Sequence, residues 1–94
     1  MASLFKPKNV AAWQCEEDDK SLTVSSADYT PPPKDHVVIK VIDVAVNPID
    51  WLLQNGLPGF GQSYPAIFGR DAAGEIYEVG EGVESFRVGQ RVIA

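Results

Sequence analysis

Few side chains in this 94-residue sequence are of types that do chemistry, and they are scattered. His36 is the only histidine. It stands at the start of a strand-like run after a proline loop, where an ordinary surface histidine is expected rather than a ligand or base. Cys15 is the only cysteine, so no internal disulfide can form, and the chain suits a reducing compartment. Glu16-Glu17-Asp18-Asp19-Lys20 is a polar block. Such a block can hold a metal or a partner, but its like charges need water around them, and we read it as a solvated loop. Asn47-Pro48-Ile49-Asp50-Trp51 holds an amide, a carboxylate and an indole within five residues. No phosphate-cradling turn is present: neither GRDAAG nor GEGVES forms G-x-G-x-x-G between a strand and a long helix.

The elements that must position these residues are mostly strands. Asn9 to Cys15 and Leu22 to Ser26 read as an antiparallel hairpin, with the acidic block as its exposed loop. Leu22 and Val24 fall on one face of the second strand. Pro31-Pro32-Pro33 cannot donate to a sheet ladder and favours an extended form. We read it as a stiff connector in preference to a ligand for a proline-binding domain. His36 to Val46 is the clearest strand, long and dense in β-branched residues. Strict alternation puts Val37, Ile39, Val41, Asp43 and Ala45 on one face. It puts Val38, Lys40, Ile42, Val44 and Val46 on the other. Both faces are largely apolar, so a central position is expected, with Asp43 marking a bend or an exposed stretch.

Asn47 to Gly56 is the one helix candidate. Asn47 suits the N-cap, Pro48 the first helical position and Gly56 the C-terminal stop. Ile49, Leu52 and Leu53 supply an apolar stripe. About two turns cannot hold themselves without tertiary packing. Gly56 to Tyr64 then reads as a glycine- and proline-rich loop. The last thirty residues hold five of the eight glycines: Gly69, Gly74, Gly80, Gly82 and Gly89. Ala73 to Val79 reads as a strand, with Gly74 at a bulge or close approach. Gly80-Glu81-Gly82 ends it. Val83 and Phe86 offer side chains to a core, Val88-Gly89-Gln90 turns the chain, and Arg91 to Ala94 begins another strand.

Composition bounds the function. Ninety-four residues allow one domain, and a chain of this size buries only about 60–65% of the surface its unfolded form exposes. Apolar content of 45% and aromatic content of 10% are those of a globular protein. A net charge of −5 argues against nucleic acid, whose phosphates need a basic face, and against an anionic membrane surface. No apolar run approaches the roughly 18 residues of a spanning helix. The N-terminus MASLFKPKNV lacks an apolar core of signal-peptide length, so the expected location is the cytoplasm.

The stretch GRDAAGEIYEVGEGVESFRVGQRV, Gly69 to Val92, resembles a medium-chain dehydrogenase/reductase pattern. That pattern is G-x-D/E-x-A/S-G-x-I/V-x-x-V/I-G-x-x-V-x-x-F/W-x-x-G-D-R-V. The long strand, then N-P-x-D leading a short helix, then P-x-I/V-x-G-x-D-x-x-G, is similar to the zinc-independent branch of that superfamily. Quinone oxidoreductases and fungal trans-acting enoyl reductases belong to it. The Asp50-Trp51 pair leans toward the enoyl reductase-like group, whose better-known members work beside polyketide synthases. The resemblance covers roughly Val10 to Ala94. It implies a mainly β fold: a GroES-like, partly open β-barrel with one short helix, incomplete at the C-terminus.

The resemblance also implies the chemistry. Where zinc-dependent relatives carry a cysteine this chain has Asn47, and where they carry a histidine it has Arg70. Zinc needs thiolate, imidazole or carboxylate, so no catalytic zinc is expected. The implied cofactor is NADPH, passing hydride to the activated double bond of an enoyl thioester or a quinone. The family role over the nicotinamide end carries onto Asn47, Pro48, Ile49, Asp50 and Trp51, with Asn47 serving as helix cap and as polar contact. No catalytic residue is assigned. Many relatives have a lysine after D-W, a candidate donor to the substrate carbonyl, where this chain has Leu52. G-D-R-V has become Gly89-Gln90-Arg91-Val92, a surface-turn change.

A nucleotide-binding Rossmann half, which needs roughly another 100–150 residues, is not encoded in these 94. Three readings follow. The chain is the N-terminal catalytic portion of an NADPH-dependent reductase, inactive by itself and weak toward NADPH alone. Or it is a GroES-like binding or assembly module that contacts a partner through an unpaired strand edge. Or it is a degenerate remnant without a role. A reading frame continuing past Ala94 into a strand and G-x-G-x-x-G would decide for the first.

Overall fold

The computed structural model describes residues 9–94. The reading against a leader rests partly on residues 1–8, which lie outside the described residues. In chain order the elements are β1 (Asn9–Gln14), β2 (Thr23–Ala27), β3 (Val37–Ala45), α1 (Pro48–Gln54), β4 (Ala66–Ile67), β5 (Asp71–Val79) and β6 (Arg91–Ile93). The fold is mainly β with one short helix, as expected. The strands form two three-stranded sheets, β2-β1-β4 and β3-β5-β6, and no closed barrel forms among the described residues. No helix among them is long and apolar enough to cross a membrane. The chain divides into two compact units. One takes the residues up to Tyr29 together with Asn47–Phe68, and the other takes Thr30–Val46 and Gly69–Ala94.

In the first unit β1 pairs antiparallel with β2, from Asn9 opposite Ala27 to Trp13 opposite Thr23. It pairs with β4 through Trp13–Ile67 and Gln14–Ala66. The expected hairpin is therefore present, but Leu22 lies just outside the second strand and Val24 is 74% exposed. The acidic loop is exposed, as expected, and its backbone is tied down. Gln14, with no exposed surface, donates from Nε2 to the carbonyls of Glu16 (3.2 Å) and Glu17 (3.3 Å). Lys20 Nζ donates to the Glu17 carbonyl at 2.6 Å. The amide and hydroxyl of Ser21 donate to Asp19 Oδ1, which holds that carboxyl below the usual carboxylate range.

In the second unit β5 lies at the centre and β3 at the edge. This corrects the expectation of a central β3. The register explains why. β3 and β5 pair antiparallel from Val37–Val79 to Ala45–Asp71, with irregularities between Val38 and Ile39 and between Val41 and Asp43. Residues opposite one another in an antiparallel pair project to the same face. Val37, Ile39, Val41 and Val44 therefore share a face with Val79, Ile76, Gly74 and Ala72. Val38, Lys40, Asp43 and Ala45 share the other with Glu78, Glu75, Ala73 and Asp71. The bulge at Ile42 breaks the strict alternation, moving Asp43 to the Lys40 face and Val44 to the Val41 face. Ile76, 2% exposed, anchors the apolar face.

Gly74 makes that pairing possible. A Cβ built there would run into the carbonyl oxygen of Lys40 and lie 2.9 Å from its carbonyl carbon. The other expected turns are in place: Gly82 and Gly89 take positive φ, and β6 follows. Phe86 does not enter a core. It is 44% exposed and, with Val37, Val83, Asp35 and Glu84, lines an open cavity of about 260 Å³. Gly74→Ala should therefore force β3 and β5 apart. The expected loss is about 1–3 kcal/mol, the range for overpacking, read as a lower denaturant midpoint at unchanged slope. An unchanged midpoint would show that the two strands do not approach this closely.

Candidate functional site

The polar-aromatic cluster singled out in the sequence folds as one local structure, the start of α1. Asn47 is the N-cap, with extended backbone at φ −120 and ψ 160, and Pro48 follows in the first turn. Asn47 and Asp50 form a capping box. The Asn47 backbone amide donates to Asp50 Oδ2 at 2.9 Å, and the Asp50 backbone amide is shared between the Asn47 side chain, which completes the box, and the Asn47 carbonyl at 3.0 Å. The sequence signal for this box was available as N-x-x-D before an apolar run. An acidic side chain in the first turn also suits the positive end of the helix dipole.

The other end closes as glycine requires. Gly56 has φ +79, the left-handed region that side chains disfavour. Its amide donates to the Leu53 carbonyl at 3.1 Å, and the Leu57 amide donates to the Leu52 carbonyl at 3.0 Å. That crossed pair is a Schellman motif, which satisfies two carbonyls the helix cannot satisfy itself. Seven residues need outside support. Leu53, 4% exposed, supplies it by burial, and Gln54 Nε2 reaches the Lys20 carbonyl at 2.5 Å.

With both ends fixed, the five residues are displayed differently. Asn47, Ile49 and Asp50 are half-buried and Pro48 is exposed. Trp51 is 62% exposed, an indole face held on a capped helix. Leu52, the next residue, is also partly exposed and has no donor. Asp50 Oδ1 is buried and accepts no hydrogen bond from the protein. Gln14 Oε1 is in the same condition. Sequence reasoning missed Gln14, because an isolated glutamine at the end of a strand carries no signal of full burial.

The remaining candidates stand at exposed positions. His36 is exposed and its Nδ1 lies 2.8 Å from the Lys34 carbonyl. Cys15 is exposed. Arg70 is exposed and belongs to the other compact unit. Among the described residues no group of three or more His, Cys, Asp or Glu side chains could hold a metal ion.

The sequence profile of the alcohol dehydrogenase GroES-like domain matches residues 33–94. The trans-enoyl reductase himH of Aspergillus japonicus is 49% identical over 93 residues, covering 99% of this chain and 26% of that protein. A chloroplast envelope quinone oxidoreductase homolog of Arabidopsis thaliana is 40% identical over 65 residues, 67% of this chain and 20% of that one. The crystal structure of Escherichia coli quinone oxidoreductase complexed with NADPH superposes with a TM-score of 0.76 at 23% identity. It covers 93% of this chain and 26% of the other, a likeness of fold. The chain spans about a quarter of the length of such relatives. A capped helix after a long strand, a glycine-paced β5 and these matches together place the chain in the alcohol dehydrogenase GroES-like domain family.

Proposed function

We propose that this chain is the N-terminal catalytic portion of an NADPH-dependent, zinc-independent oxidoreductase that reduces an activated carbon–carbon double bond. The observation that carries the reading is the 49% identity to a trans-enoyl reductase over 93 of the 94 residues. It exceeds the 40% identity to the quinone oxidoreductase homolog and covers more of the chain. An enoyl thioester is therefore the favoured substrate class, with a quinone second. In this reading a polyketide synthase presents the acyl chain and the reaction takes place in the cytoplasm.

The residues at the helix start fit a nicotinamide. In this reading the Asn47 side-chain amide, whose oxygen also caps the helix, donates at the nicotinamide end, and Trp51 offers an exposed indole face. NADPH supplies the hydride. The chain's part is to hold the ring end still, which Asn47 does from a backbone fixed by Asp50. Trp51 and Leu52 present apolar surface that excludes water from the reacting carbon. Charge gathers on the substrate oxygen as the double bond is reduced and needs a hydrogen-bond donor. Leu52 cannot donate, so in this reading that donor comes from outside residues 1–94. Zinc independence is supported by Asn47 and Arg70, an amide and a guanidinium, where a thiolate and an imidazole would be needed.

The open edge of β3 favours a second reading, a non-catalytic assembly module. Val41, Ile42, Val44 and Val46 are exposed along or just beyond that edge, and such edges accept added strands.

The 94-residue chain alone should bind NADPH weakly or not at all and hold less than one zinc per chain. Micromolar affinity by fluorescence titration, or one tightly held zinc by elemental analysis, would overturn the reading. In the full-length reductase Asn47→Ser should restore the melting temperature lost in Asn47→Ala, where a lost cap costs about 0.5–2 kcal/mol. Turnover in the serine variant should stay about tenfold low or more, because the shorter side chain loses its reach. Full turnover at saturating NADPH would leave Asn47 a cap only.

A further inference from the structure

We propose that Asp50 is a positioning residue: it sets the pose of Asn47 and does not itself contact the cofactor. The proposal rests on the NADPH reading above and adds a division of labour within the helix start. Asp50 Oδ2 is occupied by the Asn47 amide at 2.9 Å. Its Oδ1 is shut off from solvent with no protein donor. Neither oxygen is offered outward. The Asp50 amide returns to the Asn47 carbonyl at 3.0 Å, so residues 47–50 form a loop closed from both sides. Pro48 stiffens it, because its ring fixes φ.

The choice of aspartate matters. Glutamate or glutamine is the usual partner at this position of a capping box. Aspartate is one methylene shorter, so its bond to Asn47 closes only when that amide lies within a narrow range of positions. A carboxylate can accept about four hydrogen bonds, and this one is half-buried while Oδ1 takes none from the protein. Leaving a buried acceptor unmatched is unfavourable. Asn47 and Trp51 then face the cofactor, and Asp50 acts through Asn47.

The test is a double-mutant cycle in the full-length protein, read by NADPH affinity from fluorescence titration and by melting temperature. Asn47→Ala and Asp50→Ala should each weaken NADPH about tenfold, and the double variant should be no weaker than Asn47→Ala alone. Asp50→Asn keeps an oxygen for the Asn47 amide and should recover the affinity to within about threefold. Losses that multiply to about a hundredfold in the double variant would mean that Asp50 touches the cofactor directly, against the proposal. A loss in Asn47→Ala without one in Asp50→Ala would overturn the positioning role and leave the cofactor reading standing. No loss in either would remove both. If Asp50→Ala does not fold, Asp50→Asn decides: a tenfold loss at unchanged melting temperature overturns the proposal, and near-full affinity supports it.

Discussion

The approach of β5 to β3 at Gly74 is the constraint on which the second unit depends. β5 pairs on both of its edges, with β3 and with β6. A side chain at Gly74 would occupy the space of the Lys40 carbonyl. Directly after that contact β3 bulges at Ile42 and resets its alternation. Without the bulge, Asp43 would fall on the face that holds Ile76, and a carboxylate turned into an apolar layer is strongly disfavoured. Ahead of the bulge, Lys40, Glu75 and Arg91 stand in one row across the three strands, the two cations flanking the carboxylate. Such cross-strand pairs contribute about 0.2–1 kcal/mol each.

The first unit meets a different constraint. Its helix has only seven residues, so local propensity cannot hold it. Each end is finished by a specific device, the capping box at Asn47 and Asp50 and the Schellman turn at Gly56. Burial of Leu53 and the bond from Gln54 to the Lys20 carbonyl anchor its body. The result is a short rigid platform that keeps a tryptophan exposed. An exposed tryptophan on a fixed backbone loses little conformational freedom on binding a flat partner, which supports the proposed place of the helix start beside a nicotinamide ring.

Much of this was legible in the sequence, for local reasons. Asn47, Pro48 and Gly56 mark the helix ends because cap positions select residue types by backbone geometry. Gly74 as a close approach was legible because glycine inside a strand has few other uses. The position of β3 was not. Its valines and isoleucines read as two apolar faces, yet a bulge is one extra residue that periodicity cannot locate. Exposure was also misjudged at Phe86: it is apolar, but nothing in its spacing says which surface covers it. Gln14 escaped because its partners are backbone carbonyls, which carry no sequence signature. At the candidate site, the five residues were grouped through the family resemblance, while the split between Asp50, half-buried, and Trp51, exposed, needed the structure.

The central claim is that this fold serves hydride transfer to an activated double bond. The most direct measurement uses the full-length protein, NADPH deuterated on one face of its nicotinamide, and a 2-enoyl thioester, with the product read by mass spectrometry. The account predicts a saturated thioester carrying one deuterium from one of the two NADPH faces and none from the other. A folded full-length protein that leaves NADPH unconsumed with enoyl thioesters and quinones alike would contradict it.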